Sequence, residues 1–318
     1  MFKVLITGRT GFIGAELLKQ LKLKKYFIHT SSRSSLETEI ESEKNFKINQ
    51  IDNSTNWSEA LKNVDCIVHC AGIANETTKS KENDLDNYRQ INVEGTRNLA
   101  FQAAAKGVKR FIFLSSIKVN GEKTEKCLSF KNNDIPSPQS IYASSKWEAE
   151  KALHAISKQT GLEIVIIRAP IVYGPGVKGN FLRLLHLIDK GFPLPFGGID
   201  NLRSFISLDN LVNLIICCIN HPKAAGQTFL VSDGEDISTP DLIRKLSRFM
   251  DKSSRVFTIP SSLIQLMGCL FGKSSEVERL LSSLQIDSFH TYEVLGRDSM
   301  INLDEGLEKT ANWYLKNQ

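Results

Sequence analysis

The sequence predicts an α/β protein: a doubly wound parallel sheet with a smaller C-terminal lobe. Three observations predict it. Apolar runs alternate with helix-periodic stretches as far as Pro170. A glycine-rich turn joins the first run to the first helix. Beyond Pro170 the alternation gives way to loops marked by Gly174, Pro175, Gly176, Gly179, Pro193, Pro195, Gly197 and Gly198.

The elements follow in order. Phe2–Thr7 reads as a buried strand, and Ala15–Leu23 as a helix carrying Leu17, Leu18 and Leu21 on one face. Tyr26–Thr30 and Phe46–Ile51 are strands, Trp57–Asn63 a short helix, and Val64–Gly72 a fourth strand. Leu85–Lys106 is one long helix closed by Gly107. Phe111–Leu114 is a strand ending in Ser115 and Ser116. After the polar loop Glu122–Pro138 come a helix over Ser140–Ser157 and a strand over Glu163–Arg168. These strands are continuous apolar runs, as expected where helices cover both faces of a sheet. Gln227–Val231 is one more strand, and Asp241–Met250, Ser261–Phe271 and Glu276–Leu284 are helices. The division places residues 1–173 and about 203–233 in a ligand-binding α/β domain, and about 174–202 and 234–318 in the lobe.

Of the 318 residues, 41% are hydrophobic and 24% charged, the balance of a soluble globular protein. The formal charge of +5 comes from scattered lysines with no basic stripe, so no nucleic-acid partner is expected. Cys66, Cys70, Cys127, Cys217, Cys218 and Cys269 form no CxxC pair and no zinc-spaced cluster. They read as buried free thiols in a reducing compartment, and no metal is expected. The apolar stretches LVNLIICCIN and IPSSLIQLMGCLFG are shorter than the roughly 20 residues of a bilayer span. The second reads as core packing, with contact at a membrane surface as the alternative. No signal peptide is read at the start, and a cytoplasmic location is expected.

Gly8, Gly11 and Gly14 stand between a strand and a helix. There a tight turn and a close backbone approach suit a dinucleotide's pyrophosphate, which the helix N-terminus attracts. Gly8, Thr10, Gly11, Phe12, Ile13 and Gly14 are therefore assigned to the cofactor. Further along, Ser115 and Ser116 end the fifth strand, and Tyr142 and Lys146 lie four apart on the next helix. A free phenol has a pKa of about 10. A nearby ammonium favours the phenolate, which can then take a hydroxyl proton as hydride leaves the same carbon.

With these residues on view, the sequence resembles an extended short-chain dehydrogenase/reductase of the NAD-dependent epimerase/dehydratase family, a Rossmann fold. The matching pieces are TGRTGFIG, HCAG, NVEGTRNL, FIFLSSIKVNGE, YASSK, RAPIVYGPG and RSFISLDNLV, in the family's order along nearly the whole chain. The glycine spacing of three and three fits that family's loop. The resemblance implies Ser116 as the catalytic hydroxyl, Tyr142 as the acid/base, and Lys146 as its tuner and a ribose ligand. Asn92 would support the cofactor side, with Ala71 and Gly72 at the fourth strand end and Asp52 after the third. Ser115 would line the cofactor face or cap a turn. Asn180 and Arg203 would contact the diphosphate of a UDP-sugar, although Asn180 also suits a helix cap and Arg203 a surface ion pair.

Dehydratases of the family carry an Asp-Glu pair after the catalytic hydroxyl. Here Ile117 and Lys118 stand there, which leaves hydride chemistry at sugar carbon 4. The resembling subgroup contains UDP-glucose 4-epimerases and reductases of UDP-4-keto-6-deoxy-N-acetylhexosamines from O-antigen pathways. No carboxylate follows the second strand, where an NAD-type site would put one; Thr30-Ser31-Ser32-Arg33 stands instead. Ser32 and Arg33 suit a 2′-phosphate, so NADP(H) is favoured, with NAD(H) as the other possibility. A 4-keto reductase is accordingly favoured over a UDP-glucose or UDP-N-acetylglucosamine 4-epimerase, and a non-catalytic dinucleotide sensor is the third reading. A homodimer through the helices Leu85–Lys106 and Ser140–Ser157 is expected.

Overall fold

The computed structural model describes residues 2–34, 42–74, 81–270, 272, 274–296 and 301–318. The first half runs β1 (Lys3–Thr7), α1 (Phe12–Leu23), β2 (Phe27–Ser32), β3 (Glu43–Lys47), β4 (Cys66–His69) and α2 (Lys81–Tyr88). A π-helical stretch, Arg89–Gly95, passes into α3 (Thr96–Ala105), then β5 (Arg110–Ser116), β6 (Ser129–Phe130), α4 (Ile141–Thr160) and β7 (Glu163–Ala169). The second half has β8 (Ile171–Tyr173), α5 (Gly179–Asp189), β9 (Arg203–Ser207), α6 (Leu208–Asn220), β10 (Thr228–Leu230) and β11 (Asp236–Ile237). It ends with α7 (Thr239–Phe249), α8 (Ser261–Leu270), α9 (Ser274–Leu281), β12 (Gln285–Ile286), α10 (Phe289–Leu295) and α11 (Leu303–Lys316).

Seven strands form one sheet in the order β10-β7-β5-β4-β1-β2-β3, and every neighbouring pair is parallel. The order reverses beside β1, which opens a crevice above the carboxyl ends of β1 and β4. Alternate residues of β1 feed opposite faces: Val4 and Ile6 pack with α1 and α6, and Leu5 packs with Trp57, α3 and α4. A three-stranded sheet, β11-β9-β8, shares another core with α5, α7 and α11. So β8 and β9 belong to the small sheet, whereas β10 joins the large one.

Several elements differ from their expected form. The helix α1 begins at Phe12, as the glycine turn already supplies its cap position at Gly11. The edge strand β3 starts at Glu43, not Phe46, and this buried polar residue lies 2.8 Å from each of two cations, Arg9 and Lys22. Trp57–Asn63 makes turns instead of a helix; Leu61 N–H donates to Trp57 O (2.9 Å), and Asn63 leaves the right-handed region at φ 56°. The single helix expected over Leu85–Lys106 is interrupted by the π-helical stretch. The final residue expected for α8, Phe271, lies outside the described residues. The C-terminal helix α11 was not read from the sequence, although Asn302 and Glu305 form a reciprocal cap.

The core reading of the α8 stretch also needs correction. Ile264 is buried, while Leu263, Leu266 and Leu270 stand out at 48, 55 and 75% exposure. Among the cysteines, Cys66 and Cys218 are buried as expected, but Cys127 and Cys269 are exposed; all six are free. No helix among the described residues is long and apolar enough to cross a membrane.

Candidate functional site

The site begins at the glycine turn. Gly8 has φ +77°, and a Cβ there would come within 2.8 Å of Ala71 N. A Cβ on Gly14 would lie 2.2 Å from Gly8 O, so the helix seats directly on the turn. Gly11 N–H donates to Gly8 O at 2.9 Å and holds the turn shut. As the cap of α1, Gly11 brings no side-chain acceptor, which leaves first-turn N–H groups for an anion. Thr10 and Gly11 are exposed. Phe12 packs into both the sheet core and the core of the small sheet, and Ile13 packs on the former.

The next contact is made at the end of β4. A Cβ on Gly72 would sit 3.0 Å from Asn92 Oδ1 and 3.5 Å from Lys146 Nζ. Gly72, Asn92 and Lys146 therefore meet at one point, over a backbone that a ligand can approach closely. The π-helical stretch carries Asn92 there. Its Oδ1 accepts from Ile73 N (2.9 Å), and its Nδ2 donates to Ile73 O (3.1 Å) and Ser145 Oγ (3.0 Å). The following Gly95 presses on Ile51, where a Cβ would come within 2.6 Å of Cγ2. An extra residue in one helical turn at a functional position is the usual use of a π-bulge.

Ser116 is buried at the end of β5, and its Oγ accepts from Lys118 N at 3.3 Å. Tyr142 lies half-buried in the first turn of α4, with its ring edge-on to Tyr88 at 6.4 Å. Lys146 comes one turn later and is buried. Its Nζ donates to Leu114 O (2.9 Å) and stands 4.5 Å over the Phe113 ring. Burial pulls the Lys146 pKa down to about 8, with Cys70 and Glu150 acting in the opposite sense. Burial likewise pushes Cys70 up to about 12, so its thiol stays protonated. His69 bridges Thr7 Oγ1 (2.7 Å) and Thr96 Oγ1 (2.9 Å); burial, then Lys146, pulls its pKa down to about 3 and keeps it neutral.

The other expected residues are placed as follows. The hydroxyl of Ser115 donates to Glu150 Oε1 (2.5 Å), so the side chain turns to a buried ion pair. In that pair Arg168 Nη2 meets Glu150 Oε2 at 2.6 Å, and Arg168 Nη1 donates to Asn120 Oδ1 at 2.9 Å. Asp52 Oδ1 accepts from Ser54 N and from the hydroxyls of Ser54 and Thr55, the geometry of a capped turn. Ser32 Oγ is bound to Ser34 O (2.6 Å) and Asn45 Oδ1 (3.1 Å), while Arg33 is exposed. Asn180 is exposed in the first turn of α5, whose cap position is Lys178. Arg203 is no surface residue. It is half-buried, and its Nη1 donates to Arg279 O (2.6 Å) and Ser282 O (3.0 Å). Burial, and then the charge of Arg279, lowers its pKa, against Glu122.

Sequence reasoning missed Glu150 and Arg168, although Glu150 stands one helical turn beyond Lys146. It also missed Arg279, which nothing nearby in the chain marks out. A third miss is Arg9, the side chain between the first two glycines. Its guanidinium reaches Glu43 Oε1 (2.8 Å) and Thr30 Oγ1 (3.1 Å). The expected NADP(H) preference gains no support from this arrangement, since Ser32 is engaged by Asn45 and Arg9 by a carboxylate.

Taken together, the residues fit a dinucleotide: two glycines without room for a Cβ, an open helix N-terminus, and a lysine beside Gly72. A family model described as NAD dependent epimerase/dehydratase family matches residues 4–232. The chain is 46% identical over 316 residues to a Vibrio cholerae protein named UDP-glucose 4-epimerase, covering 98% of this chain and 95% of that protein. It is 25% identical to an Escherichia coli O157:H7 protein named N-acetyl-alpha-D-glucosaminyl-diphospho-ditrans,octacis-undecaprenol 4-epimerase, covering 98% and 94%. Among solved structures, a UDP-glucuronic acid 4-epimerase from Bacillus cereus, in complex with UDP-glucuronic acid and NAD, superposes with a TM-score of 0.81. The identity is 22% and both chains are covered completely, a likeness of fold.

Proposed function

This chain belongs to the NAD dependent epimerase/dehydratase family, and on that premise we propose that it is a 4-epimerase of a UDP-hexose that retains NAD. The observation that carries this reading is the 46% identity to the Vibrio cholerae protein, along nearly the whole of both chains. The reductase reading rested on an expected draw on NADPH, and that expectation rested on Ser32 and Arg33. Ser32 is bonded to Asn45, and the relatives named for 4-epimerases favour the epimerase over the reductase. The Escherichia coli relative is also named for a 4-epimerase, with its sugar on a different carrier. Carbon 4 is thus the common term.

A bound nicotinamide supplies reversible hydride transfer. The chain's own residues do the rest. Ser116 Oγ holds the sugar's O4. Tyr142 takes the O4 proton and later returns it, a role worth roughly 10²–10⁴-fold. The Lys146 ammonium favours the phenolate form of Tyr142. Ile117 and Lys118 supply no acid–base pair for water loss, consistent with a reaction that keeps all of the sugar's oxygens. Inversion with one acid–base group requires the ring to present its other face between the two proton transfers. Arg203 and Asn180 are assigned to the UDP diphosphate. A homodimer across α3 and α4, where Phe101 stands 59% exposed, belongs to the same proposal.

The test is to incubate the purified protein with UDP-glucose or UDP-N-acetylglucosamine without added dinucleotide and follow the anomeric signals by NMR. Mass spectrometry of the heat-released ligand identifies the retained dinucleotide. The reading expects interconversion of 4-epimers and NAD. No 4-epimer from either sugar, together with NADPH oxidation on a UDP-4-keto-6-deoxy sugar, would restore the reductase.

A further inference from the structure

Below the end of β2, under α1, lies a buried carboxylate that the mechanism does not use. The Glu43 side chain has no exposed surface. One of its oxygens lies 2.8 Å from Arg9 Nη1 and the other 2.8 Å from Lys22 Nζ. Lys22 comes from the last turn of α1, and Arg9 from the glycine turn itself. The same Arg9 nitrogen donates to Thr30 Oγ1, which donates to Asn45 Oδ1 (3.0 Å).

The register of β2 and β3 sets the height of each group. Glu43 pairs with Ile28, Asn45 with Thr30, and Lys47 with Ser32. Paired residues in a parallel ladder share a face, so Glu43 and Asn45 lie on the Arg9 side of the sheet. Ser32 ends β2 at the rim, where a dinucleotide's adenosine ribose is met in this fold. At about 3.3 Å per residue, Thr30 lies about 7 Å below the rim and Glu43 about 13 Å below it. Arg9 starts above the rim and is drawn down to the level of Thr30 and Glu43. A guanidinium at the rim is an ideal partner for a 2′-phosphate, and this one is held below it.

We propose that Glu43 is a cofactor-specificity residue: by holding Arg9 down the sheet it withholds the guanidinium from the adenosine 2′ position and biases the groove toward NAD over NADP. The proposal rests on the retained-NAD reading above, and it explains how a β2 end without a carboxylate can still disfavour a 2′-phosphate. In most grooves of this kind an acid at the β2 end repels the phosphate directly. Here the acid sits on β3 and acts through an arginine.

The experiment is calorimetric titration of NAD and NADP into dinucleotide-stripped full-length protein, which needs no turnover and so stands apart from the identity of the sugar reaction. The wild type is expected to bind NAD at least tenfold tighter than NADP. Glu43→Gln should move the NADP-to-NAD affinity ratio at least tenfold toward NADP, with NAD affinity held within threefold. Adding Arg9→Met to that variant should erase the gain. A merely structural Glu43 would weaken both dinucleotides alike, and an unchanged ratio in a folded Glu43→Gln protein overturns the proposal. If Glu43→Gln does not fold, Arg9→Met alone decides, because Lys22 still pairs with the carboxylate. The proposal expects that variant to keep the wild-type ratio within twofold. A selective tenfold loss of NADP affinity would mean that Arg9 already serves the 2′ position, and would overturn it.

Discussion

Replacing Lys146 by methionine should stabilise the protein while disabling it. The lysine is buried, and burial lowers its pKa from the ordinary 10.5 to about 8. That difference of roughly 2.5 units corresponds to about 3 kcal/mol at 1.36 kcal/mol per unit, the cost of keeping the charge at neutral pH. Methionine fills a similar volume without a charge. It forfeits the bond to Leu114 O, worth about 1 kcal/mol, and the contact over Phe113, worth about 0.5–2 kcal/mol. The net expectation at pH 7 is a change between about zero and 2 kcal/mol in favour of the variant. The pH dependence is the sharper signature. Between about 8 and 10.5 the unfolded lysine holds a proton that the folded one has lost, so this group makes wild-type stability rise with pH across that window. Below 8 both states are protonated, and its contribution is flat. Urea unfolding of stripped wild type and Lys146→Met at pH 7, 8, 9 and 10 isolates the effect, because other titrations cancel in the difference. A variant destabilised by more than about 2 kcal/mol at pH 7, or a difference that stays constant from pH 8 to 10, would refute the reasoning. Turnover of the variant should fall by roughly 10²–10⁴-fold, the usual range for an acid–base group deprived of its tuning.

Tyr142→Phe should keep the edge contact with Tyr88, the fold and dinucleotide affinity, yet lose roughly 10²–10⁴-fold in turnover; single-turnover rates within twofold of wild type would remove Tyr142 from the acid–base role. Arg203→Ala should weaken UDP binding by about 1.5–3 kcal/mol, or roughly 10–150-fold, and leave dinucleotide affinity unchanged. Calorimetry with UDP reads this directly, and equal UDP affinity in a folded variant would confine Arg203 to its carbonyl contacts at Arg279 and Ser282.

What could be read from the sequence follows from the range of the interaction behind each feature. The glycine turn is local, and the structure gives each of its outer glycines a contact that excludes a side chain. The Tyr142 and Lys146 pair is also local, fixed by one turn of a single helix. The parallel sheet was legible because its central strands are apolar on both faces. At the sheet's edge this rule failed: β3 opens with a glutamate whose partners lie 34 and 21 residues earlier, and no window of apolar periodicity records such a pairing. The same limit hid the Glu150–Arg168 pair, 18 residues apart, and with it the true partner of Ser115. It hid the π-bulge as well, since Asn92 and Gly95 look like ordinary helix residues until Ile51 and Ile73 are placed beside them. The NADP(H) expectation lacks support for one reason. The adenosine pocket was judged from the four residues that end β2, whereas a further charge, Arg9, arrives from the glycine turn and pairs with a carboxylate on the next strand. A specificity rule keyed to one strand end therefore holds only where no arginine of the phosphate turn lies beside that strand, and here Arg9 rests on Thr30 of β2 and Glu43 of β3.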